Sequence, residues 1–158
     1  MRLRASPPPD PSTITVRRLM VASEGRPFAR PVLVRAMELA RPEKAEIFVM
    51  TIARVWGTSL GFPNPWLQPM KREWDEQRLN ARRAVETFPK AGFQASAMVL
   101  ATRRPRKRFL GEAKARGTDA IVMGCDVDRG LLGDFAWSHE PYRVARRATI
   151  PVYLVPVK

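Results

Sequence analysis

Short apolar runs alternate along this chain with segments whose apolar positions recur every three or four residues, and that alternation predicts five strands separated by four helices. The first run, Val16 to Ala22, ends at Ser23-Glu24-Gly25-Arg26-Pro27. From Phe28 to Ala40, Leu33, Ala36, Met37 and Ala40 fall at helical spacing, with Pro31 in the first turn, where a missing N–H costs least. Arg41-Pro42-Glu43-Lys44 breaks that helix, and Ile47 to Ile52 follows as a strand of β-branched and aromatic residues. Met70 to Phe88 reads as a polar-rich helix whose stripe of Met70, Trp74, Ala81, Val85 and Phe88 is interrupted only by Gln77. Packing of that stripe on a sheet is the economical reading, and a partner helix the other.

The second half repeats the pattern. Phe93 to Leu100 reads as a strand and Pro105 to Arg116 as a helix. Ala120 to Gly124 follows as a strand, then a glycine loop, a helix from Ser138 to Ala148 and a last strand from Val152 to Val155. Strands separated by helices predict an α/β fold: a doubly wound parallel sheet with right-handed crossovers and helices on both faces. Val16 to Ala22 and Ala120 to Gly124, short apolar runs bounded by glycine turns, are expected at its centre. Between Trp56 and Pro69 lie fourteen residues with no periodicity, read as a loop whose Trp56, Phe62 and Trp66 either cover a pocket or cap the core. Residues 1–13 are too proline-rich for helix or central strand and read as a flexible arm, leaving 14–158 as one domain.

Composition narrows the function classes. A chain of 158 residues buries a sizeable core without disulfides or structural metal. One cysteine, Cys125, and one histidine, His139, exclude a disulfide framework and a multi-ligand zinc pattern. A reducing, cytoplasmic setting is expected, because Ser6-Pro7-Pro8-Pro9 replaces the apolar core of a signal peptide and no apolar run approaches the length of a membrane span. The 28 Lys and Arg against 15 Asp and Glu give a formal charge of +13, which predicts nonspecific attraction to polyanions. The densest run is Arg103-Arg104-Pro105-Arg106-Lys107-Arg108, either a solvated surface or a polyanion site. Phe109 is the only ring near it, too little for a single-strand nucleic-acid track.

The chemistry concentrates where the Ala120 strand meets its loop, since open α/β sheets place ligands at the carboxyl ends of central strands. Catalysis has no constellation to rest on. His139 beside Ser138 is a sequence neighbour rather than a positioned base, and Cys125 is either a redox thiol or a buried residue.

The segments Leu19-Met20-Val21-Ala22-Ser23-Glu24-Gly25, Ala120-Ile121-Val122-Met123-Gly124 and Tyr142 to Val155, in that order within residues 15 to 157, resemble the universal stress protein family. The resemblance implies a five-stranded parallel sheet of order 3-2-1-4-5 and a homodimer. It also leaves a choice between members that hold ATP and members that do not. In ATP-holding relatives the last loop reads Gly, two residues, Gly, nine residues, Gly, then Ser or Thr. Here Gly124 fits the first glycine, but Val127 stands at the second, ten residues separate it from Ser138, and Ser138-His139 replaces the final pair. The family's acidic residue after the first strand is matched by Glu24.

A phosphate needs converging N–H groups and no side chain in the way, which Val127 and Trp137 work against. Gly130 and Gly133 offer a shifted anion nest, and Ser138 begins a helix whose N–H groups face outward. Alternatively Ser138 is an ordinary N-cap bracketed by Trp137 and Tyr142. The candidate cofactor-binding residues are therefore Glu24, Gly124, Asp126, Gly130, Gly133, Ser138 and His139. Among them the glycines and Ser138 serve phosphates, and Glu24 and Asp126 serve ribose or metal. Three functions follow: a non-catalytic dimeric stress-response or signalling protein without a cofactor, dimerised through Val152 to Val155 and meeting a protein partner; an ATP-responsive switch or weak Mg²⁺-dependent ATPase; or a basic nucleic-acid-associated protein.

Overall fold

In the computed structural model, which describes residues 14–55, 58–59, 62–63, 69–126 and 140–157, the chain alternates strand and helix. The order is β1 (Arg18–Ser23), α1 (Arg30–Ala40), β2 (Glu46–Arg54), β3 (Thr58–Ser59), β4 (Phe62–Pro63), α2 (Lys71–Lys90), β5 (Ala95–Thr102), α3 (Pro105–Ala115), β6 (Ala120–Asp126), α4 (Glu140–Arg147) and β7 (Val152–Val157). Five strands form one sheet in the order β5-β2-β1-β6-β7, every neighbouring pair parallel. Counting only those five, the order is 3-2-1-4-5. β1 lies at the centre, between β2 and β6.

Side-chain alternation along the strands decides which helix covers which face. Leu19 and Val21 of β1, Ile47 and Val49 of β2, and Ala120 and Val122 of β6 pack with Val32, Ala36 and Ala40 of α1 and with Ala84 and Phe88 of α2. Their neighbours Met20, Ala22, Phe48, Met50, Ile52, Ile121 and Met123 face the other way, onto Phe109 and Ala113 of α3 and Val144 of α4. Because both faces are covered, β1, β2 and β6 are continuous apolar runs. Asp119 fixes the register at the amino ends: its Oδ2 accepts the backbone N–H groups of Arg17 and Arg18 at 2.8 and 2.9 Å, and its own N–H donates to the Arg18 carbonyl.

Three differences from the expectations have physical causes. The stretch 56–69 is not wholly irregular, since Thr58 pairs with Pro63 and Ser59 with Phe62 in a two-residue antiparallel ribbon too short to leave a periodic signal. On α2 the buried positions are Gln77, Asn80, Ala81, Ala84 and Phe88, whereas Met70 precedes the helix and is 75 % exposed. Trp74 and Val85 are half-buried, because the small residues Ala81 and Ala84 let the helix approach the sheet. The sheet strands also run further at their carboxyl ends, to Ser23, Arg54, Thr102, Asp126 and Val157. Among the described residues no helix is long and apolar enough to cross a membrane. The proposed arm 1–13, and Trp56 and Trp66, lie outside the described residues.

Candidate functional site

The helices that follow β1 and β6 pack on opposite faces of the sheet, so the carboxyl ends of these adjacent strands border the crevice where such folds bind ligands. Into it project the turn after β1 and the last three residues of β6.

The turn after β1 is tied down at every residue. The Ser23 hydroxyl donates to the Arg26 carbonyl at 2.6 Å and accepts the Arg26 N–H at 3.0 Å, closing the turn. Gly25 sits at φ +97°, and a Cβ there would lie 3.1 Å from the Ile52 carbonyl oxygen, so only glycine fits without strain. Neighbouring elements take the carbonyls that this bend turns away from the sheet. Arg54 Nε, at the end of β2, donates to the Glu24 carbonyl at 2.9 Å, and Gln77 Nε2, from α2, donates to the Gly25 carbonyl at 2.9 Å. Gln77 is itself 1 % exposed, and its Oε1 accepts the Thr51 hydroxyl at 2.8 Å. The Arg54 backbone N–H reaches Glu73 Oε1 at 3.4 Å.

Arg26 is the electrostatic centre of the crevice. Its Nη1 and Nη2 donate to the two carboxylate oxygens of Asp126 at 2.6 and 2.8 Å, the bidentate geometry that a planar guanidinium prefers. Its Nε lies 3.7 Å from Oε1 of Glu24, whose side chain is almost fully buried. The hydrogen bond from Arg26 holds the Asp126 carboxyl below its ordinary value, outweighing partial burial, which pushes upward. The same bond to Asp126 raises the Arg26 guanidinium further above an already high value, against the opposing effect of burial. The pair joins the end of β6 to the turn after β1 and sets a cation between the two carboxylates expected to meet ribose or metal.

Between these groups lies a cavity of about 50 Å³, lined by Ser23, Glu24, Arg26, Phe28, Gly124 and Cys125 among others. Ligand sites for drug-sized molecules are roughly 300–1,000 Å³, so this space, as bounded by the described residues, is smaller than such a site. Gly124 has a packing reason to be glycine, since a Cβ would fall 3.0 Å from Cγ2 of Val157 and 3.3 Å from Cγ2 of Val32. Cys125 is buried at the same strand end. Among the described residues no three His, Cys, Asp or Glu side chains gather to hold a metal ion.

Of the seven sequence candidates, Glu24, Gly124 and Asp126 meet at this crevice, Glu24 and Asp126 through Arg26. Gly130, Gly133, Ser138 and His139 lie outside the described residues, as do Val127 and Trp137. Sequence reasoning missed Arg26, Thr51 and Arg54, which carry no periodic signal. It registered Gln77 only as a flaw in an apolar stripe, and that flaw was the signal: a buried amide on a sheet-facing stripe needs partners.

The family model described as Universal stress protein family matches residues 15–156. Universal stress protein YxiE of Bacillus subtilis (strain 168) is 26 % identical over 148 residues, covering 87 % of this chain and 97 % of that protein. The universal stress protein of Archaeoglobus fulgidus in complex with dAMP shares the fold at a TM-score of 0.65 and 18 % identity, over 90 % of this chain and 99 % of that one. A universal stress protein in complex with cAMP matches at a TM-score of 0.64 and 18 % identity, over 91 % of this chain and all of that one.

Proposed function

Since the chain belongs to the universal stress protein family, we propose that it is a non-catalytic stress-response or signalling protein that acts as a homodimer and whose nucleotide site is closed, with residues from 14 onward forming its one domain. The observation that carries this reading is the Arg26 bridge between Glu24 and Asp126 over a cavity of about 50 Å³. Arg26 and Phe28 both line that cavity, and its volume is small for an adenine base. A divalent cation gains nothing from carboxylates whose charge is already met by arginine.

Dimerisation draws support from the sheet edge. Among the described residues β7 pairs only with β6, leaving Val152, Tyr153, Leu154 and Val155 partly exposed on a strand with one side unpaired by them. Pro156 has no N–H to give, which limits pairing to Val152–Val155.

Two measurements test the proposal. Protein purified mildly, then denatured and analysed by mass spectrometry, should release no stoichiometric ATP, ADP or AMP. Calorimetry with ATP and Mg²⁺ in 300 mM KCl should give a Kd above roughly 100 μM, about −5.5 kcal/mol or weaker. Micromolar binding overturns the closed site and favours the second reading, a nucleotide switch or weak ATPase. That alternative rests on the dAMP and cAMP held by structural relatives. Light scattering should give twice 17.9 kDa, and a mass near 17.9 kDa would remove the dimer.

A further inference from the structure

Away from the crevice, a groove of about 370 Å³ runs between the start of α3 and the first turn of α4. It shares no lining residue with the cavity beside Gly124. Arg103, Arg104, Arg106, Lys107 and Arg143 line it, with Glu140 the single acid among the described residues. Glu140 Oε1 already accepts from Arg143 Nη1 at 3.1 Å. For Arg104, Arg106 and Lys107, all exposed, no ion pair is formed among the described residues.

This placement opposes the usual electrostatics of a helix. The amino end of an α-helix carries partial positive charge and favours acidic side chains in its first turn. α3 has none there, and no side chain caps it. Instead Arg104 occupies the cap position, with Arg106 and Lys107 in the first turn, so three cations crowd a site that is already positive. Among the described residues the one acid lining the groove, Glu140, is already paired with Arg143, whereas a multiply charged anion would offset that repulsion at once, meeting both the guanidinium groups and the outward N–H groups of the first turn. The groove volume falls in the range of small-molecule sites. Among the described residues no aromatic ring lines it: Phe109, two positions from Lys107, is fully buried, and Tyr142, beside Arg143, is not part of the lining, so these residues give a base no stacking platform.

We propose that this groove binds a small oligophosphate anion, recognised by Arg104, Arg106, Lys107 and Arg143 through its charge and phosphate oxygens and not through any base. The residues lining this groove are distinct from those lining the cavity beside Gly124, so the proposal does not rest on how that cavity is read.

The test is calorimetry of the full chain with tripolyphosphate as the probe, in 50 and 300 mM KCl. One probe per chain should bind, with affinity falling at least tenfold between the two salts as screening rises. Arg104→Glu/Lys107→Glu should weaken binding at least tenfold. Lys71→Glu/Arg72→Glu on α2, with the same net charge, should leave it within threefold of wild type. Arg104→Gln/Lys107→Gln serves if the charge reversal disturbs folding, and should lose at least fivefold. Adenosine should not compete.

Equal losses in the α2 and α3 variants would reduce the effect to overall charge and overturn the proposal. Competition by adenosine would move the site to the crevice and overturn it equally. A 20-nucleotide single strand that displaces tripolyphosphate, binds more tightly and depends on the same side chains would make the groove part of a nucleic-acid surface, and the small-anion assignment would fall.

Discussion

Gln77 Nε2 donates to the carbonyl of Gly25 at 2.9 Å, tying the second helix to the turn that shapes the crevice. The same amide accepts the Thr51 hydroxyl at 2.8 Å, so one buried side chain joins α2, β2 and the β1 turn. Replacing it removes two partners from groups that water reaches poorly. Gln77→Leu is expected to destabilise the chain by about 2 kcal/mol, the cost of leaving buried polar groups unmade. Urea unfolding at constant m-value measures it, and a loss below about 0.5 kcal/mol would mean that Gln77 does not anchor the turn.

Gly124 meets Val157 and Val32 rather than open space. Gly124→Ala is expected to cost about 1–2 kcal/mol by overpacking. Because Val157 is the tightest neighbour, Gly124→Ala/Val157→Ala should lose less than the two single variants together, with a coupling of at least about 0.5 kcal/mol. Strict additivity in a double-mutant cycle would assign the glycine to something other than packing.

The Asp126 carboxyl is held below its ordinary value of 3.8, chiefly by its hydrogen bond from Arg26. A depressed carboxylate contributes stability that is full above the unfolded-state value and is lost as pH falls through the lower folded-state value. Since the Asp126 side chain is 44 % exposed, the contribution is small, about 0.5 kcal/mol after solvent screening. Wild type should exceed Asp126→Asn by that amount at pH 7. The two stability curves should converge as pH falls below the ordinary carboxylate range, and a gap that persists there would contradict the assignment.

Arg26→Ala separates the two carboxylates from their shared cation and empties part of the crevice. It should destabilise more than Asp126→Asn, by about 1–3 kcal/mol, because the Glu24 side chain is only 5 % exposed and loses the guanidinium beside it. If the arginine closes a former nucleotide site, adenosine affinity should rise at least fivefold in this variant. Unchanged affinity would mean that Arg26 is structural only.

The alternation of apolar runs with helical stripes was enough to place the five sheet strands and four helices, because period 2 and period 3.6 are local consequences of backbone geometry. It also put β1 and β6 at the centre, since a strand covered on both faces must be apolar throughout. What the pattern missed in the fold, the ribbon at Thr58–Ser59 and Phe62–Pro63, is two residues per strand and leaves no period to detect.

The site divides along the same line. The sequence by itself placed Glu24, Gly124 and Asp126 at or just past the carboxyl ends of the β1 and β6 runs, because apolar runs and the turns that end them are local, while the strand order came with the resemblance to the universal stress protein family. Only the tertiary structure decided what they do there. Arg26 and Asp126 are one hundred positions apart, and Gln77 and Gly25 are separated by 52, so neither bond has a local signature. The same holds for Gly124, which a loop motif reads as room for phosphate and which packing against Val157 and Val32 explains without one. Hydrogen bonds and excluded volume act across space, and the distances that set them exist only once the sheet has brought its strand ends together.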